Sequence, residues 1–300
     1  MVTDAPFIPP DPADAHRPPQ PLLQRIDRYL LPMFTLFAIG YLLIPIAVMI
    51  VFSFNKPEGK FNYAWNEFSL EGWLHPFDWP GLPQAVVTSL VIAVLATIFA
   101  TILGTLIGLA LTRYRFRGRG TLNGLIFLPM ATPEIVMGAS LLTLFVATAL
   151  PPLAGGVPLL YPTGFQTILI AHIMFNISFV VVTVKARVQG FDRRLEEAAM
   201  DLGANELTTF WKVTFPLILP GIIAAALLAF SLSIDDYVVT AFTSGQTETF
   251  PLYIYGSQLR GIPVQVNVIG TIIFVVAVVL VLMTTVWQRR VSARDYGAGM

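Results

Sequence analysis

The 300-residue sequence has no cysteine, only three histidines and little charge: Asp, Glu, Lys and Arg together make up 12%. Without cysteine there is no disulfide, no thiol nucleophile and no cysteine-ligated metal. The histidines, at positions 16, 75 and 172, lie far apart, so no histidine-rich metal site is expected. Acidic and basic residues balance at 18 each, which gives no bulk attraction to nucleic acid. Neither Gly-x-Ser-x-Gly nor His-Glu-x-x-His occurs, so no catalytic residue is assigned and the chain reads as a non-enzyme. The phosphate loop Gly-x4-Gly-Lys-Ser/Thr is missing too, because Gly118 and Gly120 lead into Thr121 rather than Lys. No cofactor is expected in this chain.

What is abundant is apolar surface. The chain is 55% hydrophobic with a mean hydropathy of +0.72, whereas a soluble domain carries about twice this charged fraction. A helix crosses the hydrocarbon core with about 20 mostly apolar residues. Six such runs are present: 31–54, 85–112, 122–150, 166–184, 217–242 and 267–288. The chain is therefore read as an all-α membrane protein embedded in the bilayer through six transmembrane helices. Pro129, Pro133 and Glu134 interrupt the third run, and the fifth carries Asp235 and Asp236. The stretch PPLAGGVPLL separates the third from the fourth, since its Pro and Gly residues break helices.

Lys and Arg set the orientation. Fifteen of the eighteen fall before span 1, after spans 2 and 4, and after span 6; the other three loops hold only Lys56, Lys60 and Arg260. Both termini are therefore expected in the cytoplasm. Residues 1–24 read as a disordered cytoplasmic tail, with seven prolines in the first 21 residues. Residues 25–290 form the membrane domain, and 291–300 a second tail. The first apolar run is too long for a signal peptide and reads as a retained anchor. Trp65, Trp73 and Trp79 fall in the first outer loop, where an interfacial role and an ordinary loop core fit equally well.

The loop at 187–216 contains LEEAAMDLGANE, a polar helix in an oily chain. Residues 193–202 are good helix formers apart from Asp201. Asp192 caps the start, and Glu196 and Glu197 sit where the helix dipole favours anions. Ala198 and Ala199 leave one flank without bulk, so a partner surface can approach. Gly203 supplies the left-handed residue that ends the helix, and Asn205 caps a second helix through 208–213 that leads into span 5.

Glu197-Ala198-Ala199, three residues, Gly203, nine residues, then Val213, one residue, Phe215 and Pro216 resembles the cytoplasmic-loop signature of ABC importer permeases. That signature is Glu-Ala-Ala-x3-Gly-x9-Ile-x-Leu-Pro, so Val213 and Phe215 are apolar-for-apolar departures. The resemblance implies the type I ABC importer permease fold. It implies that this loop couples to a separate ATPase dimer, which would carry the ATP and Mg. The contact residues would be Glu197, Ala198, Ala199 and Gly203, with Asp201 a further candidate; plain solvation is the competing role for Asp201, and the expected one for Glu196 and Glu206. It also implies a second permease subunit, in a heterodimer by family precedent, and the cytoplasmic (inner) membrane of a prokaryote.

Ionisable residues within spans are costly, about 3 kcal/mol near the bilayer centre on insertion scales, and commonly line a path or pair with something. Glu134, Asp235 and Asp236 are the three here, and the spans contain no Lys or Arg to neutralise them. On a straight helix Asp236 would lie about 28 Å beyond Leu217, near the outer mouth. Adjacent helical residues point about 100° apart, so one of the two aspartates is expected to face the pathway. Glu134, Asp235, Asp236 and Tyr237 are the candidate pathway residues. Capping or solvation of the helix end is the competing role for the aspartates, and a plain kink for Glu134. His172 and Asn176 share a face of span 4 and are expected to form interhelical hydrogen bonds; Ser178 points elsewhere.

FSLSIDDYVVTAF, TRYRFRGRG and FVVVTVKARVQGFD together look like the second permease subunit of spermidine/putrescine ABC importers, from about Leu31 to Trp287. That likeness implies a polyamine cargo delivered by an extracellular binding protein. Another solute on the same machinery (a sugar, an opine or another organic cation) is one alternative. A proton-coupled secondary transporter, with the carboxylates as relay, is the other.

Overall fold

A computed structural model describes residues 22–148 and 162–297. The proline-rich stretch 1–21, the PPLAGGVPLL segment and residues 298–300 lie outside the described residues. Twelve α-helices occur among those described. They are α1 Leu22–Phe52, α2 Glu71–Leu74, α3 Leu82–Arg113, α4 Arg119–Ala131, α5 Glu134–Thr148 and α6 Phe165–Gln189. The second half holds α7 Arg194–Asp201, α8 Glu206–Thr209, α9 Phe215–Ile234, α10 Val238–Thr243, α11 Phe250–Arg260 and α12 Val264–Gly297. A π-helical turn, Phe210–Thr214, joins α8 to α9. Helix α1 starts at Leu22, inside the stretch assigned to the tail from sequence.

Among the described residues five helices are long and apolar enough to cross a bilayer, and α4 with α5 makes a sixth span only if its 107° bend is counted as one broken crossing. The third run is thus far more sharply broken than a kink. Pro129 sits inside α4; the chain turns at Thr132–Pro133 instead. Proline at 133 disfavours helical geometry at Thr132, whose ψ is 131°. The fifth run differs as well. It stops at Ile234, and Asp235, Asp236 and Tyr237 form a break before the short α10. Asp235 and Asp236 thus lie just past the end of α9, and the divergence of about 100° expected of adjacent helical residues does not apply to them.

Helices α3, α6 and α9 form the central packing unit. Small residues make this possible: Ala93, Ala96, Ala100, Gly104 and Gly108 are buried along α3. A Cβ on Gly104 would lie 2.6 Å from Val180 Cγ1 of α6, so only glycine permits this approach. Close helix contact through small residues is what association inside lipid requires, where burial of apolar surface gains little. A second core joins α5, α6 and α10 through Met137, Leu141, Phe145, Phe175 and Val239. A third, of Leu82, Val86, Phe250, Tyr253, Val266 and Ile269, ties the start of α3 to α11 and α12. Helix α1 packs on α12 and leaves its apolar residues outward; none of its best 18-residue window is buried.

The irregular segment between α1 and α3 has its own small core. Trp73 stacks on Phe54 at 5.3 Å and its Nε1 donates to Ser53 Oγ at 3.2 Å, while Trp65 and Trp79 remain exposed. Trp73 is thus a packed residue of the loop.

Candidate functional site

Two places collect the singled-out residues. The first is the loop between α6 and α9. Asp192 Oδ1 accepts from the Arg194 amide at 3.0 Å and starts α7. Gly203 adopts φ +88°, ending it. Asn205 Oδ1 accepts from the Thr208 amide at 2.8 Å and starts α8. The helix, corner and second helix expected from sequence are all present, with the π-helical turn as an addition. Glu197, Ala198, Asp201, Leu202 and Gly203 are exposed and Ala199 is half-buried. Leu202 is 90% exposed, and a Cβ on Gly203 would meet nothing within 4 Å. This face is free to be approached.

Glu196 departs from expectation. It is 7% exposed, the one buried residue of α7. Arg113, at the last turn of α3, grips it with both terminal nitrogens, Nη1 to Oε2 at 2.7 Å. Thr214, at the end of the π-helical turn, donates its hydroxyl to Oε1. Arg193 Nη2 adds a bond to the Thr112 carbonyl at 3.2 Å. Burial alone would raise the Glu196 pKa. The hydrogen bonds from Arg113 and Thr214 and the charges of Arg113 and Arg193 outweigh it and hold the carboxyl below its usual range. The solvated role expected for Glu196 is therefore corrected. Sequence gave no hint, because Arg113 lies 83 positions away.

The second place is formed by two helix breaks that face each other. A cavity of about 610 Å³ is lined by Thr132, Pro133 and Glu134 from the α4–α5 break and by Asp235, Asp236 and Tyr237 from the α9–α10 break. All four candidate pathway residues thus meet at one cavity, although Glu134 is about 100 positions from the others. Met137, Phe175, Phe179 and Leu232 supply apolar wall. Tyr237 also packs its ring on Tyr255 of α11, with centroids 4.7 Å apart.

The two aspartates have different roles. Asp236 Oδ2 accepts from the Thr240 amide at 2.8 Å and the Thr240 hydroxyl at 2.7 Å, capping α10. His172 Nε2 lies 3.4 Å from the same oxygen and 2.9 Å from Thr240 Oγ1, and Nδ1 is 2.6 Å from Ser233 Oγ. Thr240 gives its one hydroxyl proton to Asp236, so its oxygen accepts from His172 Nε2–H. In a neutral ring Nδ1 then accepts from Ser233. Asp235 is exposed and no other side chain bonds its carboxylate among the described residues, and Glu134 is likewise exposed. The sequence reading missed that His172 faces the aspartate: it assigned the ring to interhelical bonding, which it does make, from α6 to α9 and α10. Asn176 does not follow expectation. It is fully buried, yet neither amide atom has a partner among the described residues.

Among the described residues no cluster of three or more metal-ligating side chains occurs.

Comparison with known proteins places these features in context. Residues 100–294 match the family described as binding-protein-dependent transport system inner membrane component. The sequence is 39% identical over 259 residues to the spermidine/putrescine transport system permease protein PotC of Haemophilus influenzae, covering 86% of this chain and 95% of the relative. It is 40% identical to PotC of Escherichia coli K12, covering 83% and 90%, and 36% identical to the putrescine transport system permease protein PotI of that organism, covering 79% and 83%. In fold it is similar to a bacterial ABC transporter involved in import of the acidic polysaccharide alginate, with a TM-score of 0.65 at 18% identity over 90% of this chain and 98% of the other. The MetNI methionine ABC transporter shares the fold at a TM-score of 0.53 and 18% identity, over 70% and 94%.

Proposed function

The chain belongs to the binding-protein-dependent transport system inner membrane components, and on that premise we propose that it is the permease subunit of an ATP-driven importer of polyamines. The observation that carries the substrate is the meeting of Glu134 and Asp235 at one cavity, on two broken helices, with neither carboxylate bonded to another side chain among the described residues. An uncompensated carboxylate at membrane depth is costly. A cargo with several ammonium groups relieves that cost, and the apolar wall suits its methylene segments. Broken helices at such a site also leave backbone carbonyls free to accept from ammonium groups. Asp236 is the structural member: with Thr240 and His172 it fixes the break that presents Asp235. Tyr237 walls the cavity beside them.

The remaining parts follow from the fold. Arg113 and Glu196 bring the α3–α4 and α6–α9 loops to one end of the molecule, and these are the arginine-rich loops. That supports a cytoplasmic placement of both, with the termini on the same side, in the inner membrane of a prokaryote. The exposed face of Glu197, Ala198, Ala199, Asp201 and Gly203 would seat on an ATPase dimer that supplies ATP and Mg. A second permease subunit would complete the pathway, and an extracellular binding protein would deliver cargo. The chain itself would catalyse no covalent step.

Uptake of labelled spermidine into proteoliposomes that hold the complete complex tests this. ATP-dependent uptake blocked by vanadate is expected. Uptake that survives vanadate but collapses with an uncoupler would overturn the reading in favour of proton coupling.

A further inference from the structure

Helix α7 has eight residues and is held between two irregular links, 190–193 before it and 202–205 after it. Such links bend readily, so a push on α7 would be absorbed there unless something stiffens the loop. Seven of its eight residues are exposed or half-buried. Its one buried side chain, Glu196, is bonded to two different elements at once: Arg113 at the end of α3 and Thr214, the last residue of the π-helical turn that leads into α9. Helix α3 is the centre of the α3–α6–α9 unit, and α9 runs without interruption from Phe215 to the break that carries Asp235.

We infer that the Arg113–Glu196–Thr214 clamp is the transmission element of the transporter, making α7 move as one piece with the ends of α3 and α9. This rests on the importer reading above. Glu196 is a positioning residue here, 7% exposed and with its carboxylate held by Arg113 and Thr214, beside the face that a partner could touch. Glu197, one position on and about 100° round the helix, is on that face. Movement imposed on α7 would thus reach the cavity along α9 and not be lost in the Gly203 corner. The pairing of a planar guanidinium with both carboxylate oxygens suits such a load, because it fixes direction as well as distance. A π-helical turn is a common place for a functional adjustment in a helix, and here it ends on the residue that closes the clamp.

The test uses the complete complex in proteoliposomes with spermidine and the binding protein. Uptake per ATP hydrolysed and retention of the ATPase subunits are measured for wild type, Glu196→Gln, Arg113→Gln, Thr214→Val and the reversed pair R113E/E196R. The single charge variants are expected to keep the ATPase subunits but to lose on the order of tenfold in uptake per ATP, the size of an ordinary coupling energy. Thr214→Val, nearly isosteric, is expected to lose less, and the reversed pair to recover part of the loss. Wild-type uptake per ATP in Glu196→Gln would overturn the inference, as would loss of the ATPase subunits, which would make Glu196 a docking residue. A reversed pair no better than the single variants, together with an unaffected Thr214→Val, would overturn it too. The wild-type arm separates the two readings: no ATP-dependent spermidine uptake there overturns the importer reading, while an effect limited to the variants concerns the clamp alone.

Discussion

Two pairs of neighbouring carboxylates, Glu196–Glu197 and Asp235–Asp236, lie at opposite ends of α9, and each pair is split the same way. Glu196 and Asp236 turn inward and are bonded, to Arg113 and Thr214 in one case and to Thr240 beside His172 in the other. Glu197 and Asp235 are exposed and, among the described residues, unbonded to other side chains. In α7 successive residues diverge by about 100°, and at the Asp235–Asp236 break the non-helical backbone separates the two side chains, so one doublet can serve both an internal brace and an exposed contact. In both regions the braced carboxylate holds the element that presents the free one. Each braced carboxylate accepts from a threonine hydroxyl, and the other partner differs: a guanidinium in the loop, a backbone amide beside an imidazole at the membrane break. That difference fits the cost of placing a full cation in the bilayer.

The sharpest way to break this comparison is to exchange the roles. Asp236→Ala removes the cap of α10 and leaves the Thr240 amide without a partner. A stability loss of about 3 kcal/mol is expected from the lost cap and the unsatisfied amide together, read as a lowered thermal midpoint of the purified complex, with uptake lost alongside. Glu196→Gln strips the charge from the loop brace, and a smaller loss of about 2 kcal/mol is expected by the same assay. Asp235→Asn is predicted to leave the midpoint unchanged within about 0.5 kcal/mol while lowering the uptake efficiency for spermidine by roughly tenfold. A lowered midpoint in Asp235→Asn would mean that both aspartates brace the break. Gly203→Asp places a side chain at φ +88°, at a strain of about 1 kcal/mol. Coupled ATPase activity is expected to disappear while the chain still inserts, and retained spermidine-stimulated hydrolysis would count against the loop's role.

The finest distinction is in pH. The Glu196 pKa is lowered in the folded chain, so the stability it adds is present above the ordinary glutamate range and fades as pH falls through the lowered value. Acidification below about pH 4 should therefore shrink the gap between wild type and Glu196→Gln. A gap that widens in acid would reverse the sign and remove the argument. Glu197→Gln is expected to weaken retention of the ATPase subunits.

Features of the loop that depend on neighbours in sequence were readable in advance. The Asp192 cap, the Gly203 corner and the Asn205 cap each need only two or three residues of context, and the apolar runs gave the crossings. What could not be read depends on distant partners. Glu196 looks the same as any solvated glutamate until Arg113, 83 positions earlier, is placed beside it. The break at Asp235 interrupts an otherwise continuous apolar run with no proline or glycine to mark it. Its meeting with Glu134 comes from the fold of α5, α6 and α10 around one core. Asn176 shows the reverse failure: polarity and position promised a hydrogen bond across helices, and among the described residues it makes none.

The central claim is that the free carboxylates at the two helix breaks hold a polyamine during ATP-driven import. ATP-dependent uptake of labelled spermidine by complexes carrying Glu134→Gln with Asp235→Asn tests it most directly, with the thermal midpoint and ATPase retention measured on the same samples. The account predicts an intact, fully assembled complex whose spermidine uptake at low concentration is nearly lost. Uptake equal to wild type in that double variant would contradict it.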